Sequence, residues 1–166
     1  MNDKPVAHRS DAVIMISFFI AIVLTMLTYP DSMRYMIPNW VLLVLFYWCL
    51  VAPDRVGVFT GWSVGLFIDI LNFTVLGQHA LTQALVALIA VSAARKILAY
   101  SLWQQCFIVL ALSGLAIGFQ FWVYRLAYGN EFTLVYWQSA VMAALIWPLI
   151  RILLDRIWYR GSQRSA

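Results

Sequence analysis

Few residues in this chain have the type and spacing for chemistry. Gly61, Trp62, Ser63, Val64 and Gly65 spell G-x-S-x-G, the pattern of a hydrolase nucleophile elbow. That motif works where a strained strand-to-helix turn exposes the serine beside a base. Here it lies inside an uninterrupted apolar stretch, and the two histidines, His8 and His79, sit in the N-terminal tail and at the edge of an apolar run. Ser63 is therefore read as a helix hydroxyl, and no catalytic residue is expected. Asp69 is the one acid within the apolar regions, whereas Asp54, Glu131 and Asp155 fall near their ends. Aspartyl catalysis uses two carboxylates sharing a proton, and no second acid is in place. A lone acid among apolar helices is then an ion or proton site, with Arg125 as a candidate partner, or a hydrogen-bonding group at a helix interface. Of these the neutral interface group is the one expected, so Asp69→Asn should keep most function. His79 reads as a cap near the start of a helix, since no second His or Cys stands at metal-ligand spacing, and neither metal nor cofactor is expected. Gln78, Gln83, Gln104, Gln105, Gln120 and Gln138 suit either interhelical hydrogen bonds or the lining of a cavity.

The element that must position Asp69 is marked by glycines. Gly57, Gly61 and Gly65 recur every four residues and Asp69 continues the series. A four-residue step on a helix drifts by only about 40°, so the four positions are expected along one winding stripe. Without a Cβ each glycine lets a neighbouring backbone approach, which in lipid replaces the hydrophobic drive of soluble helices. Ser17, Ala21 and Thr25 form a second small-residue stripe, and Gly114 with Gly118 a third.

Composition says where these helices reside. Of 166 residues, 64% are hydrophobic and 11% charged, outside the range of soluble domains. Charge-free runs recur along the whole chain, and about 20 apolar residues span a bilayer. The expectation is one all-α integral membrane domain over residues 1–166, a bundle of six transmembrane helices at roughly 12–29, 38–52, 56–72, 79–96, 102–128 and 134–155. Pro38 is placed in the first turn of the second span, where its missing N–H costs nothing. That span is short, about 22 Å against a core of about 30 Å. Pro148 is expected to kink the last.

Charge orients the bundle. With six spans, Lys4, Arg9, Arg55, Arg95, Lys96, Arg151, Arg156, Arg160 and Arg164 share one side, and Arg34 and Arg125 the other. Positive charge concentrates on the cytoplasmic side, so both termini are expected there. The net charge of +4 is an orientation signal rather than a nucleic-acid surface, and Arg151 onward reads as a basic tail on an anionic membrane face. Cys49 and Cys106 fit neither a disulfide framework nor a metal site.

In order along the chain stand Pro38-Asn39-Trp40, Tyr47-Trp48, Ala52-Pro53 with Arg55, Gly61, Gly65, Leu66 and Asp69. Leu76-Gly77, Ala80-Leu81, Leu102-Trp103-Gln104-Gln105 and Trp147-Pro148 follow. Their order and spacing over nearly the whole chain resemble the rod shape-determining MreD family. The resemblance implies a non-enzymatic inner-membrane scaffold subunit of the bacterial cell-elongation complex that supports lateral peptidoglycan synthesis. It implies association with MreC, and work alongside MreB, RodA and the elongation transpeptidase. It also implies a membrane fold similar to the substrate-binding subunits of energy-coupling-factor transporters, which leaves a vitamin-type transporter subunit as the alternative. Gly57, Gly61, Gly65 and Asp69 are then the expected helix-interface or partner-binding residues. Pro38, Asn39, Trp40, Leu76, Gly77, Trp147 and Pro148 carry the family pattern.

Overall fold

A computed structural model describes residues 4–27, 36–129 and 137–163, which form six helices and no strand. They are α1 (Lys4–Met26), α2 (Trp40–Val51), α3 (Val58–Leu71), α4 (Gln78–Ala99), α5 (Leu102–Tyr128) and α6 (Trp137–Gln163). The all-α expectation holds for the described residues. Only α4 and α5 contain stretches, Gln78–Ala99 and Leu102–Val123, long and apolar enough to cross a membrane by length and composition. Asp11–Met26, Trp40–Val51 and Val58–Leu71 are apolar but shorter. Arg34 and Glu131 lie outside the described residues.

Local chemistry sets the helix ends, and several differ from the sequence reading. Asn39 is the N-cap of α2, its side chain accepting from the Leu42 N–H at 3.1 Å. Because an Asn side chain satisfies a first-turn donor, the helix starts after it, and Pro38 precedes the helix rather than occupying its first turn. Gly57 likewise caps α3 from outside, in extended backbone. α1 starts at Lys4, eight residues before the expected span, with Pro5 tolerated in its first turn. The chain after Arg151 is helix as far as Gln163, so most of the supposed basic tail is the end of α6. Pro148 lies inside that helix, where it removes one donor to the carbonyl a turn earlier.

The core is built around α2, whose residues Val41 to Leu50 are all buried. It packs against α1, α4 and α6, while α5 packs on α4 and α6 and α3 principally on α4. A helix apolar on every side belongs in such a centre. Phe46 meets Trp147 of α6 at a ring separation of 4.9 Å, and Trp48 meets Trp158 at 5.1 Å. The stripe of Ser17 and Ala21 seats α1 on α2, with the Trp48 Nε1–H donating to Ser17 Oγ at 2.8 Å. Apolar side chains on the outside, among them Phe59, Phe107, Trp122 and Leu149, face away from the bundle.

Candidate functional site

The glycine stripe operates at two of its three positions. A Cβ on Gly61 would stand 2.8 Å from the main-chain oxygen of Gln83, and one on Gly65 2.5 Å from that of His79. Real side chains do not approach so closely, so α3 and α4 touch backbone to backbone, beside the small residues Ala80 and Ala87. A Cβ on Gly57 would meet nothing within 4 Å. Gly57 is therefore not part of the seam, because the helix that carries the stripe begins only after it.

Asp69 ends the seam, fully buried, and its carboxylate collects five donors. Oδ1 accepts from Thr74 Oγ1 at 3.0 Å, the His79 N–H at 2.9 Å and His79 Nδ1 at 2.8 Å. Oδ2 accepts from the Gly77 N–H at 3.0 Å and the Ala80 N–H at 3.2 Å. An ionised carboxylate is acceptor-only, so the ring Nδ1 carries the proton in this contact. The Asp69 carbonyl takes the Thr74 N–H at 3.1 Å as well.

These partners explain the local fold. Gly77 is the N-cap of α4 and has no side chain with which to cap it. A helix start leaves its first N–H groups unpaired, and Asp69 satisfies three of them from eight to eleven residues away. Its negative charge also faces the positive end of the α4 dipole. Gly77 takes a left-handed φ of 99°, a conformation open to glycine at little cost, which turns its N–H toward the carboxylate. Leu76, its partner in the sequence pattern, is exposed. The α3–α4 hairpin is thus bolted by one acid.

The chemistry available at Asp69 is correspondingly narrow. With five donors converging on it, a protonated or amidated side chain would set a donor against a donor, so the neutral interface group expected from sequence is a poor fit. Arg125, exposed on α5, is not among the five. Ser63 lies within the continuous α3 helix and not on a strand-to-helix turn, so the elbow geometry is missing. No cluster of metal-ligating side chains occurs among the described residues.

A second polar centre joins the opposite end of the bundle. Gln105, 1% exposed, donates through Nε2 to the carbonyls of Ile97 and Tyr100 at 3.1 and 3.0 Å. Its Oε1 accepts from Trp147 Nε1 at 3.3 Å and from Arg151 at 2.7 Å. Arg151 also reaches Asp155 at 3.3 Å, and Asp155 accepts from the Tyr47 hydroxyl at 2.7 Å. Four helices, α2, α4, α5 and α6, are tied there, and Asp11 of α1 pairs with Arg55 just after α2. Trp147 belongs to this centre, while Pro38, Asn39 and Trp40 mark the start of α2. The sequence reads Arg151 as the start of a basic tail on the membrane surface, Asp155 as an acid near the end of an apolar run, and the glutamines as one group. Gln105 turns out to be an interhelical tie, Gln104 part of the α5 capping box and Gln138 exposed. The i,i+4 spacing of Arg151 and Asp155 on one helix was the signal available.

A family model described as rod shape-determining protein MreD matches residues 9–157. The chain is 32% identical over 153 residues to the rod shape-determining protein MreD of Haemophilus influenzae, covering 86% of this chain and 89% of that one. No solved structure matches.

Proposed function

The chain belongs to the MreD family of rod shape-determining proteins, which is not a family of enzymes, and from that premise we propose a scaffold subunit of the rod complex in the bacterial inner membrane. It associates with MreC and so helps sustain lateral peptidoglycan synthesis, with MreB, RodA and the elongation transpeptidase reached through the complex. The single observation that carries the scaffold reading is the use of Asp69. The acid best placed for proton or ion chemistry is fully occupied in holding α3 to the start of α4. The transporter-subunit alternative draws no support from the matches.

The proposed topology is six spans with both termini cytoplasmic. It is supported by the side chains that meet at the Gln105 end, where Arg55 and Arg151 stand with the close of α2, the α4–α5 turn and the second half of α6. That end carries the bulk of the basic residues and faces the cytoplasm by the positive-inside rule. The short helices α2 and α3 cross with help from the packing around them and from local thinning of the bilayer. Reporter fusions after Ala166 and within Gly129 to Thr133 test this reading. Opposite sides are expected, and the same side for both would overturn the count.

A further inference from the structure

α3 ends in a turn whose backbone suits glycine but which carries a phenylalanine. The Thr74 N–H donates to the Asp69 carbonyl at 3.1 Å and the Phe73 N–H to that of Ile70 at 3.4 Å, the paired bonds of a Schellman motif. The first residue past the cap takes a left-handed conformation in that motif, and glycine usually fills it. Here it is Phe73, at a φ of 51°. A residue with a Cβ is strained there, and the bonds to Asp69 on either side hold it in place. Nothing inside the chain compensates. The Phe73 side chain is 93% exposed, with Leu76 68% exposed three residues on and Ile70 and Leu71 exposed just before.

The polar groups of the turn are directed inward. Thr74 gives its hydroxyl to Asp69 and Gln78 is buried, so Asn72 is the one exposed polar side chain between Ile70 and Gln78. The N–H groups of Asn72, Phe73, Thr74 and Gln78 bond to carbonyls of the hairpin, and that of Gly77 to the Asp69 carboxylate. Water would satisfy such donors in an exposed turn, whereas in hydrocarbon they must be satisfied internally. Depth agrees with this. No Lys, Arg, Asp or Glu occurs from Ile70 to Ala94, and the exposed Arg95 and Lys96 follow in the last turns of α4. With those cations at the cytoplasmic boundary, the rise along α4 back to Gly77 is about 27 Å, inside a hydrocarbon core of about 30 Å.

We propose that the α3–α4 turn is a membrane anchor, submerged at the outer edge of the hydrocarbon core with Phe73 and Leu76 inserted among lipid acyl chains. Burial of the phenyl ring in hydrocarbon offsets the strain in its backbone. The Schellman motif turns the ring away from the bundle, and the Asp69 carboxylate fixes that motif to the start of α4. Acyl chains offer neither donors nor acceptors, which matches an uncharged turn whose donors are paired within the hairpin. The anchor rests on the membrane placement proposed above and goes beyond the scaffold reading.

The test uses the full chain in native membranes, with the photoreactive analogue p-benzoylphenylalanine in place of Phe73 and, separately, of Leu88, which is 53% exposed midway along α4. After irradiation, mass spectrometry of the purified chain is expected to find phospholipid adducts at both positions. A protein adduct at position 73, or no adduct there beside a lipid adduct at 88, would overturn the anchor and leave the membrane placement standing. No lipid adduct at either position would overturn both. In parallel, Phe73→Gly and Phe73→Ala each remove the ring, and the Gly form is expected to melt higher, since it alone suits a φ of 51°. An Ala form that melts as high or higher would also overturn the proposal, because the turn would then carry no strain for lipid burial to offset.

Discussion

Asp69 and His79 meet twice, through the His79 main-chain N–H at 2.9 Å and its ring Nδ1 at 2.8 Å, both on the same carboxylate oxygen. One side chain thereby fixes the start of α4 and the orientation of the imidazole beside it. Because three of the five donors to Asp69 are main-chain groups, they stay in place when side chains around them change and are left unpaired when the acid is lost.

Asp69→Asn is expected to be nearly as damaging as Asp69→Ala. The amide must point its NH2 at the donors on one side of the present carboxylate, leaving buried N–H groups unpaired at about 1–3 kcal/mol. His79→Ala removes one of the five donors, leaves the main-chain N–H groups paired with the carboxylate, and should cost less than the several groups stranded by Asp69→Asn, about 1.5 kcal/mol for the one charged hydrogen bond lost. Unfolding of the purified variants in a mild detergent, at matched protein concentration, checks the order. An Asp69→Asn protein as stable as the parent would mean that the carboxylate is not the bolt.

Gly65→Ala and Gly61→Ala should each loosen the α3–α4 hairpin by about 1–3 kcal/mol, the usual range for overpacking, with Gly65 the worse of the two. The added methyl would stand 2.5 Å from main-chain oxygen at Gly65 and 2.8 Å at Gly61. Gly57→Ala should change stability little, since its extended φ of −150° suits any residue and the space is open. Equal effects at all three positions would contradict the contact geometry.

The legibility of this chain divides along the same line. The apolar runs and the glycine spacing indicate the helices and the α3–α4 seam, because periodicity reports local geometry. Asp69 is conspicuous for the same reason. Its partners were not legible, since Gly77, His79 and Ala80 contribute backbone N–H groups that no side-chain pattern advertises. Gly57 shares the spacing but not the seam, because a four-residue repeat continues in sequence past the point where the helix begins. The Tyr47–Asp155 bond, 108 residues apart, was out of reach of any local pattern.

Gln105→Leu should destabilise more than its single amide suggests. It strands the Trp147 N–H, the carbonyls of Ile97 and Tyr100 and one face of Arg151, a loss on the order of 2–4 kcal/mol. Tyr47→Phe leaves Asp155 with Arg151 and should cost about 1 kcal/mol. Melting of the two variants side by side checks the ranking, which reverses if Asp155 rather than Gln105 is the hub.

Ser63→Ala should leave rod shape and protein level unchanged, because Ser63 lies in the body of α3 without the geometry of a nucleophile. Complementation of a deletion strain, scored by cell morphology, is the measurement. Loss of rod shape at normal membrane level would replace the scaffold with an enzyme.

The central claim is that this chain acts by holding a partner rather than by turning over a substrate. Its most direct test is affinity purification of the tagged chain from native membranes, with Ser63→Ala and Asp69→Asn forms at matched levels. An MreC chain should accompany the parent and the Ser63→Ala protein and be depleted from Asp69→Asn. A well-inserted parent chain that recovers no MreC would contradict the account.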